Sequence, residues 1–332
     1  MGTPSDVRRP RALPRDLAAL TGLRTIAACA VLGYHLLPAF AAAIPSAGPG
    51  VDLFFALSGF VLAHVYLRVM GERWQWRSTL KFWWLRLARI YPVYVATLLV
   101  AGVYLALQAN WGHTESPDTQ FFTLTRFFKQ LVFMPEGHRD FSTWNIPAWS
   151  ILAEAMAYLV FPLLVLALGW LNRRHLPWWL FVAAAMACYA PVVLAASGWW
   201  WEFGNHGYHP LMRITCEFPA GALLYLAVVR LRDRHVDETR LARASVTLSV
   251  ALTAAVAIGI VLLQAVFGNE PWARVEKPMS FAPPMHVQAL APLLGLLIAA
   301  LALGAGLGRE SWLSRRFMVA AGRASYSEYM WH

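Results

Sequence analysis

The sequence predicts an all-α fold, a polytopic transmembrane helical bundle of about nine to ten helices with the last one or two cut short. Three observations carry that prediction. Apolar residues fill 58% of the 332 positions and charged residues 14%, with a mean hydropathy of +0.48, where a soluble domain carries about 25% charged residues. The apolar residues gather into blocks of roughly 20, the length of helix that crosses a bilayer. The 28 Lys and Arg sit between those blocks rather than along one face. The net charge of +10 therefore reads as loop charge and implies no nucleic-acid partner, which needs a basic stripe or patch. Soluble, disordered, coiled-coil and disulfide-scaffold readings all conflict with this composition. Cys29, Cys188 and Cys216 lie far apart inside apolar stretches and suggest neither a metal site nor a paired framework.

The elements follow in order. Residues 1–20 are polar, basic and Pro-containing, with no cleavage site close behind the first apolar block, and read as a cytoplasmic segment. Residues 21–332 then read as one membrane domain, incomplete at its C-terminus. Its apolar blocks place helices at about 22–43, 50–67, 88–108, 147–170, 177–197, 211–229, 245–267 and 287–307. A ninth helix begins near Ser325 and is cut off at His332. With the N-terminus inside, the inner segments hold 21 Lys and Arg and the outer ones 5, the asymmetry that orients membrane helices. The outer segments 109–146 and 198–210 combine aromatics with His, Asn, Asp and Glu, and a surface-lying amphipathic helix is expected near 121–133. They fit either an interfacial aromatic belt or a binding surface for a polar acceptor such as a sugar.

Ionisable groups inside apolar blocks are costly and so are candidates for function. They are Arg24, His35, Asp52, His64, Glu154, Arg213 and Glu217. Arg24 and His35 are 11 residues apart, close to three helical turns, which sets them on one face about 16 Å apart along the axis. His35 is then either a hydrogen-bonded core residue or a catalytic or relay group. In GPGVDLFFALSGF, Asp52 either caps the second helix or acts in catalysis, and Ser58 and Gly59 supply small packing residues. Arg86 and Arg89, three residues apart at a membrane boundary, either reach lipid phosphates or grip the phosphates of a soluble anion. Pro92 follows and is expected to break or kink the start of its helix. Ser150, Glu154 and Tyr158 recur every four residues and share one stripe of the fourth helix.

Five segments in this order resemble acyltransferase family 3, the integral membrane O-acyltransferases. They are GLRTIA with His35 eleven residues after Arg24, GVDLFFALSGF, LRLARIYP with Arg86 and Arg89, WSILAE with Tyr158 and FPLL, and GRASYSEYMWH. The resemblance implies an enzyme of about ten membrane helices in the bacterial cytoplasmic membrane, with no permanently bound cofactor. Such an enzyme moves an acyl group, usually acetyl, from acyl-coenzyme A to a hydroxyl. Acceptors in the family are carbohydrates, glycoconjugates and small natural products. Carried over by position, Arg24 and His35 match the family's essential pair, Arg86 and Arg89 its acyl-coenzyme A contact, and Glu154 its membrane carboxylate. Two features depart from the pattern: Thr21 stands where an Asp is common, and the chain stops within its last motif.

On this reading His35 is the general base for the acceptor hydroxyl, and Glu154 or Asp52 orients its imidazole. Arg24 guides the pantetheine arm or offsets charge further in. A covalent acyl intermediate on His35 or Ser150 is an open alternative. The rival from another class is a proton- or anion-coupled transporter, which predicts Gly/Pro-broken helices in two matching halves.

Overall fold

The computed structural model describes residues 12–37, 47–110, 123–134, 144–145, 147–196, 209–234, 237–267, 285–308 and 311–331. Its α-helices in chain order are α1 (Ala18–Leu36), α2 (Gly48–Met70), α3 (Trp76–Asn110), α4 (Leu124–Leu131) and α5 (Ala148–Arg173). They continue as α6 (Trp178–Ala196), α7 (His209–Arg232), α8 (Glu238–Phe267), α9 (Ala291–Leu303) and α10 (Arg316–Trp331). Short 3-10 helices, Met285–Leu290 and Trp312–Ser314, lead into α9 and α10. Among the described residues no strand occurs, and eight helical segments are long and apolar enough to cross a bilayer. The all-α membrane bundle read from the sequence is thereby observed.

Helix α2 is the hub. It packs against α1, α5, α9 and, most extensively, α7. Small residues permit the closest of these approaches: a Cβ on Gly59 would stand 1.9 Å from the Phe218 carbonyl oxygen, and one on Gly221 1.9 Å from that of Ala56. Each glycine faces the partner's backbone, the small-residue contact that lets membrane helices approach. Behind it Phe60, Phe82, Phe161 and Phe218 are fully buried, and Phe82 and Phe161 lie 4.9 Å apart by ring centroid. Helices α8 and α9, both apolar, then part company. Helix α9 is largely buried, whereas no residue of the α8 span window is, so α8 presents itself to lipid.

The loop arginines that orient the chain also close helix ends. Arg173 donates to the carbonyl of Gly71 after α2 at 3.2 Å, and Arg230 donates to the carbonyl of Asn172 in the last turn of α5. Arg232 donates to Leu303 and Ala305 at the end of α9 at 2.8 and 2.9 Å. Terminal carbonyls lack intrahelical partners and carry the negative end of the helix dipole, so a guanidinium satisfies both needs.

Two helix starts differ most from expectation. Helix α3 starts at Trp76 and carries Arg86 and Arg89 inside it, because nothing before Pro92 interrupts the backbone ladder. Pro92 itself lies within the continuous helix, and the hydroxyl of Tyr326 donates to the nearby carbonyl of Ile90 at 2.6 Å. Helix α10 begins at Arg316 rather than near Ser325. The expected amphipathic helix is found as α4, opened by Thr123, whose hydroxyl accepts from the Arg126 amide at 3.3 Å. Most of the outer segments 109–146 and 198–210 lies outside the described residues.

Candidate active site

Four helices enclose a cavity of about 40 Å³, lined by Arg24 of α1, Phe54 and Ser58 of α2, Ser150 and Glu154 of α5, and Ser325, Tyr326 and Tyr329 of α10. The crossing of α10 over α1 forms one wall. A Cβ on Gly322 would stand 1.9 Å from the Thr21 carbonyl oxygen, and the Thr25 hydroxyl donates to Met318 across the same contact at 2.7 Å. That contact brings Ser325 to Arg24, whose Nε donates to Oγ at 3.4 Å while its guanidinium lies 5.6 Å from the Phe54 ring centre.

Opposite stands Glu154. Its Oε1 accepts from Ser58 Oγ and from Tyr158 Oη, both at 2.5 Å. The Ser150 hydroxyl bonds Tyr329 Oη at 2.9 Å, tying α5 to α10. Glu154, Arg86 and Arg89 are all within electrostatic reach of Arg24. Arg24 and Glu154 nevertheless form no direct ion pair. A cation and an anion thus face one cavity, each held by neutral hydroxyls or rings, with room for a polar group between them.

Arg86 is half-buried on α3, with Nη2 3.4 Å from Tyr66 Oη and its guanidinium 5.7 and 5.9 Å from the ring centres of Tyr66 and Phe82. Arg89, one turn on, is exposed. A guanidinium stacked on rings and hydrogen-bonded at one end keeps donors available for an anion. His35 falls in the last turn of α1, exposed and edge-on to Tyr34 at 5.2 Å, and does not line the cavity.

Asp52 belongs to a second cluster. It is 1% exposed and makes no helix cap; its Oδ1 accepts from Arg213 Nε at 2.7 Å and also from Nη2. Arg213 Nη2 further donates to the Gly48 carbonyl at 3.0 Å, and Glu217 Oε1 lies 3.9 Å from Nε. The guanidinium stands 5.4 Å from the Trp149 ring centre and 5.8 Å from that of Phe55. This pairing fixes α2 to α7 and leaves Asp52 outside the cavity lining. Among the remaining membrane ionisables, His64 bonds the Pro14 carbonyl through Nε2 at 3.1 Å and anchors the N-terminal segment.

The structure therefore gathers Arg24 and Glu154 at one cavity, with Arg86 and Arg89 beside them, and places His35 and Asp52 elsewhere. Sequence reasoning gave no role to Ser325, Tyr326 or Tyr329, although all three lie in the quoted GRASYSEYMWH segment. It gave Arg213 and Glu217 no partner, although opposite charges four residues apart in an apolar block signal an internal pair.

Comparison with known proteins identifies the family of the chain. The family model described as an acyltransferase domain matches residues 17–332. The acyltransferase MdmB of Streptomyces mycarofaciens is 32% identical over 188 residues, which cover 52% of this chain and 45% of that protein. The peptidoglycan O-acetyltransferase OatA of Listeria monocytogenes is 26% identical over 182 residues, covering 51% of this chain and 27% of that protein. A putative O-acetyltransferase of Staphylococcus aureus strain COL is 25% identical over 173 residues, covering 46% and 25%. The chain thus spans less than half the length of these curated relatives. No solved structure matches. With the family model spanning nearly its whole length and an all-helical bundle of eight span-length segments, the chain belongs to acyltransferase family 3.

Proposed function

We propose that the protein is a membrane O-acyltransferase that moves an acyl group, acetyl in the first instance, from cytoplasmic acyl-coenzyme A to a hydroxyl of a sugar-containing acceptor such as a surface polysaccharide. The observation that carries this reading is the unpaired Arg24 and Glu154 facing one cavity, with Arg86 and Arg89 beside it. The N-terminus and the basic loops lie in the cytoplasm, which sets Arg86 and Arg89 toward the inner side of the bacterial cytoplasmic membrane.

The arginines on α3 hold the phosphates of coenzyme A, since guanidinium groups suit phosphate oxygens. The pantetheine arm then runs along the cavity. Its amides offer a carbonyl to Arg24, and their N–H groups meet Glu154. His35 lies about 16 Å along the same helix toward the outer side, where an acceptor enters. It takes the proton from the acceptor hydroxyl as the oxygen attacks the thioester carbon, and returns it to the departing coenzyme A thiolate. The C–S bond breaks, the O–acyl bond forms, and no proton is gained or lost overall. Asp52, held by Arg213, has a structural part in this scheme.

The relatives' names support the chemistry, because one is a peptidoglycan O-acetyltransferase and another a putative O-acetyltransferase. The test is reconstitution in proteoliposomes with acetyl-coenzyme A and candidate glycans. Acceptor-dependent release of coenzyme A thiol is expected, and accumulation of unmodified solute would instead indicate a transporter. His35→Ala should abolish transfer while leaving insertion intact; undiminished transfer refutes the base assignment. Comparing the masses of surface glycans from cells with and without the gene identifies the acceptor.

A further inference from the structure

The contact that holds Glu154 has a consequence for how the cavity reads its donor. Ser58 Oγ and Tyr158 Oη converge on the same oxygen, Oε1, from two different helices. Both bonds are charge-assisted, the stronger kind, and together they fix the plane of the carboxylate. Oε2 makes no hydrogen bond among the described residues, and Glu154 lines the cavity. Across from it Arg24 is steadied by Ser325 and Phe54. Val51, Phe54 and Ile151 supply apolar wall between these groups.

We infer that Ser58 and Tyr158 are positioning residues, which lock Oε1 of Glu154 so that Oε2 is presented to an amide N–H of the donor's pantetheine arm while Arg24 faces the amide carbonyl. This rests on the acyl-coenzyme A reading above. A secondary amide fits such a site because it carries one donor and one acceptor on opposite edges, flanked by methylenes that suit the apolar wall. Ser58, a small packing residue by sequence, thereby gains a part in donor recognition.

The test measures direct binding of two probes to the purified full chain in lipid nanodiscs. One is acetyl-coenzyme A; the other is a coenzyme A fragment that keeps the phosphates and lacks the pantetheine arm. Ser58→Ala and Tyr158→Phe should each weaken acetyl-coenzyme A by about 3- to 10-fold, the worth of one hydrogen bond. The fragment should bind both variants as it binds the wild type. Neither change should add to the loss caused by Glu154→Gln, since each acts through that carboxylate. Equal weakening of both probes means that the hydroxyls merely support the fold, and overturns the inference. Unchanged acetyl-coenzyme A affinity in both variants overturns it as well, while leaving the acyl-coenzyme A reading standing. A wild type that binds neither probe overturns that reading and this one together. Each variant removes a single oxygen atom from a different helix, so the test survives if one of them misfolds.

Discussion

Helix α2 carries two clusters of charge that are built in opposite ways. Near its N-terminal end, Asp52 meets Arg213 directly, and Glu217 lies near the same guanidinium nitrogen, with all three at most 4% exposed. Fewer than two turns along, Ser58 supports a carboxylate that faces an arginine across a cavity without pairing to it. Charges that meet have spent their electrostatics on each other, so they hold helices together. Charges kept apart by hydroxyls and rings retain the capacity to bind, so they await a ligand. The same residue types in the same membrane thus serve structure in one place and chemistry in the other.

The largest effect that tests this contrast is expected at Arg213. Arg213→Met leaves two buried carboxylates without their cation and should cost about 3–5 kcal/mol. Loss of folded protein, or a sharply lower thermal midpoint in detergent, is the readout; adding Asp52→Asn should recover part of it. The opposite pattern belongs to Arg24. Its replacement by Ala should lower acyl transfer by about 10- to 100-fold, as for loss of a charged hydrogen bond to the donor's pantetheine arm, with the thermal midpoint close to wild type. If Arg24→Ala unfolds as readily as Arg213→Met, the division between the clusters fails. Smaller is the effect of Gly59→Val, whose side chain would meet the Phe218 carbonyl and should destabilise the α2–α7 contact by about 1–3 kcal/mol, read from the same melting curve. Smallest is Ser150→Ala, which removes the bond to Tyr329 and should shift stability by about 0.5–1.5 kcal/mol; a loss as large as that at Arg213 would make the cavity wall part of the structural cluster.

Much of the fold was legible because the bilayer imposes a length. Apolar blocks of roughly 20 residues gave the spans, and the loop arginines gave the alternation of sides. The ends were less legible. The start of α3 was misplaced because a helix continues through Lys81, Arg86 and Arg89 when the backbone has no breaker, whatever the side chains carry. The outward face of α8 and the buried position of α9 were not legible at all. Lipid is as apolar as the bundle core, so hydrophobicity does not distinguish the two surroundings.

The site divides similarly. Arg24, Arg86, Arg89 and Glu154 could be singled out because ionisable residues in or beside apolar segments are expensive. Which of them act together was decided by contacts across the chain: Arg24 reaches Ser325 over 301 residues, and Ser58 reaches Glu154 over 96. Asp52 and Glu154 look alike in sequence, each a lone carboxylate in an apolar block. Only packing gave one an arginine and the other a pair of hydroxyls.

By itself, then, the sequence determined that the chain crosses a membrane repeatedly, which loops are basic, and which few residues cannot be scaffold. These are local properties, set by transfer free energy along the chain. The tertiary structure alone decided which buried charges neutralise each other and which remain open to a cavity, because that outcome depends on which helices their small residues allow to come together.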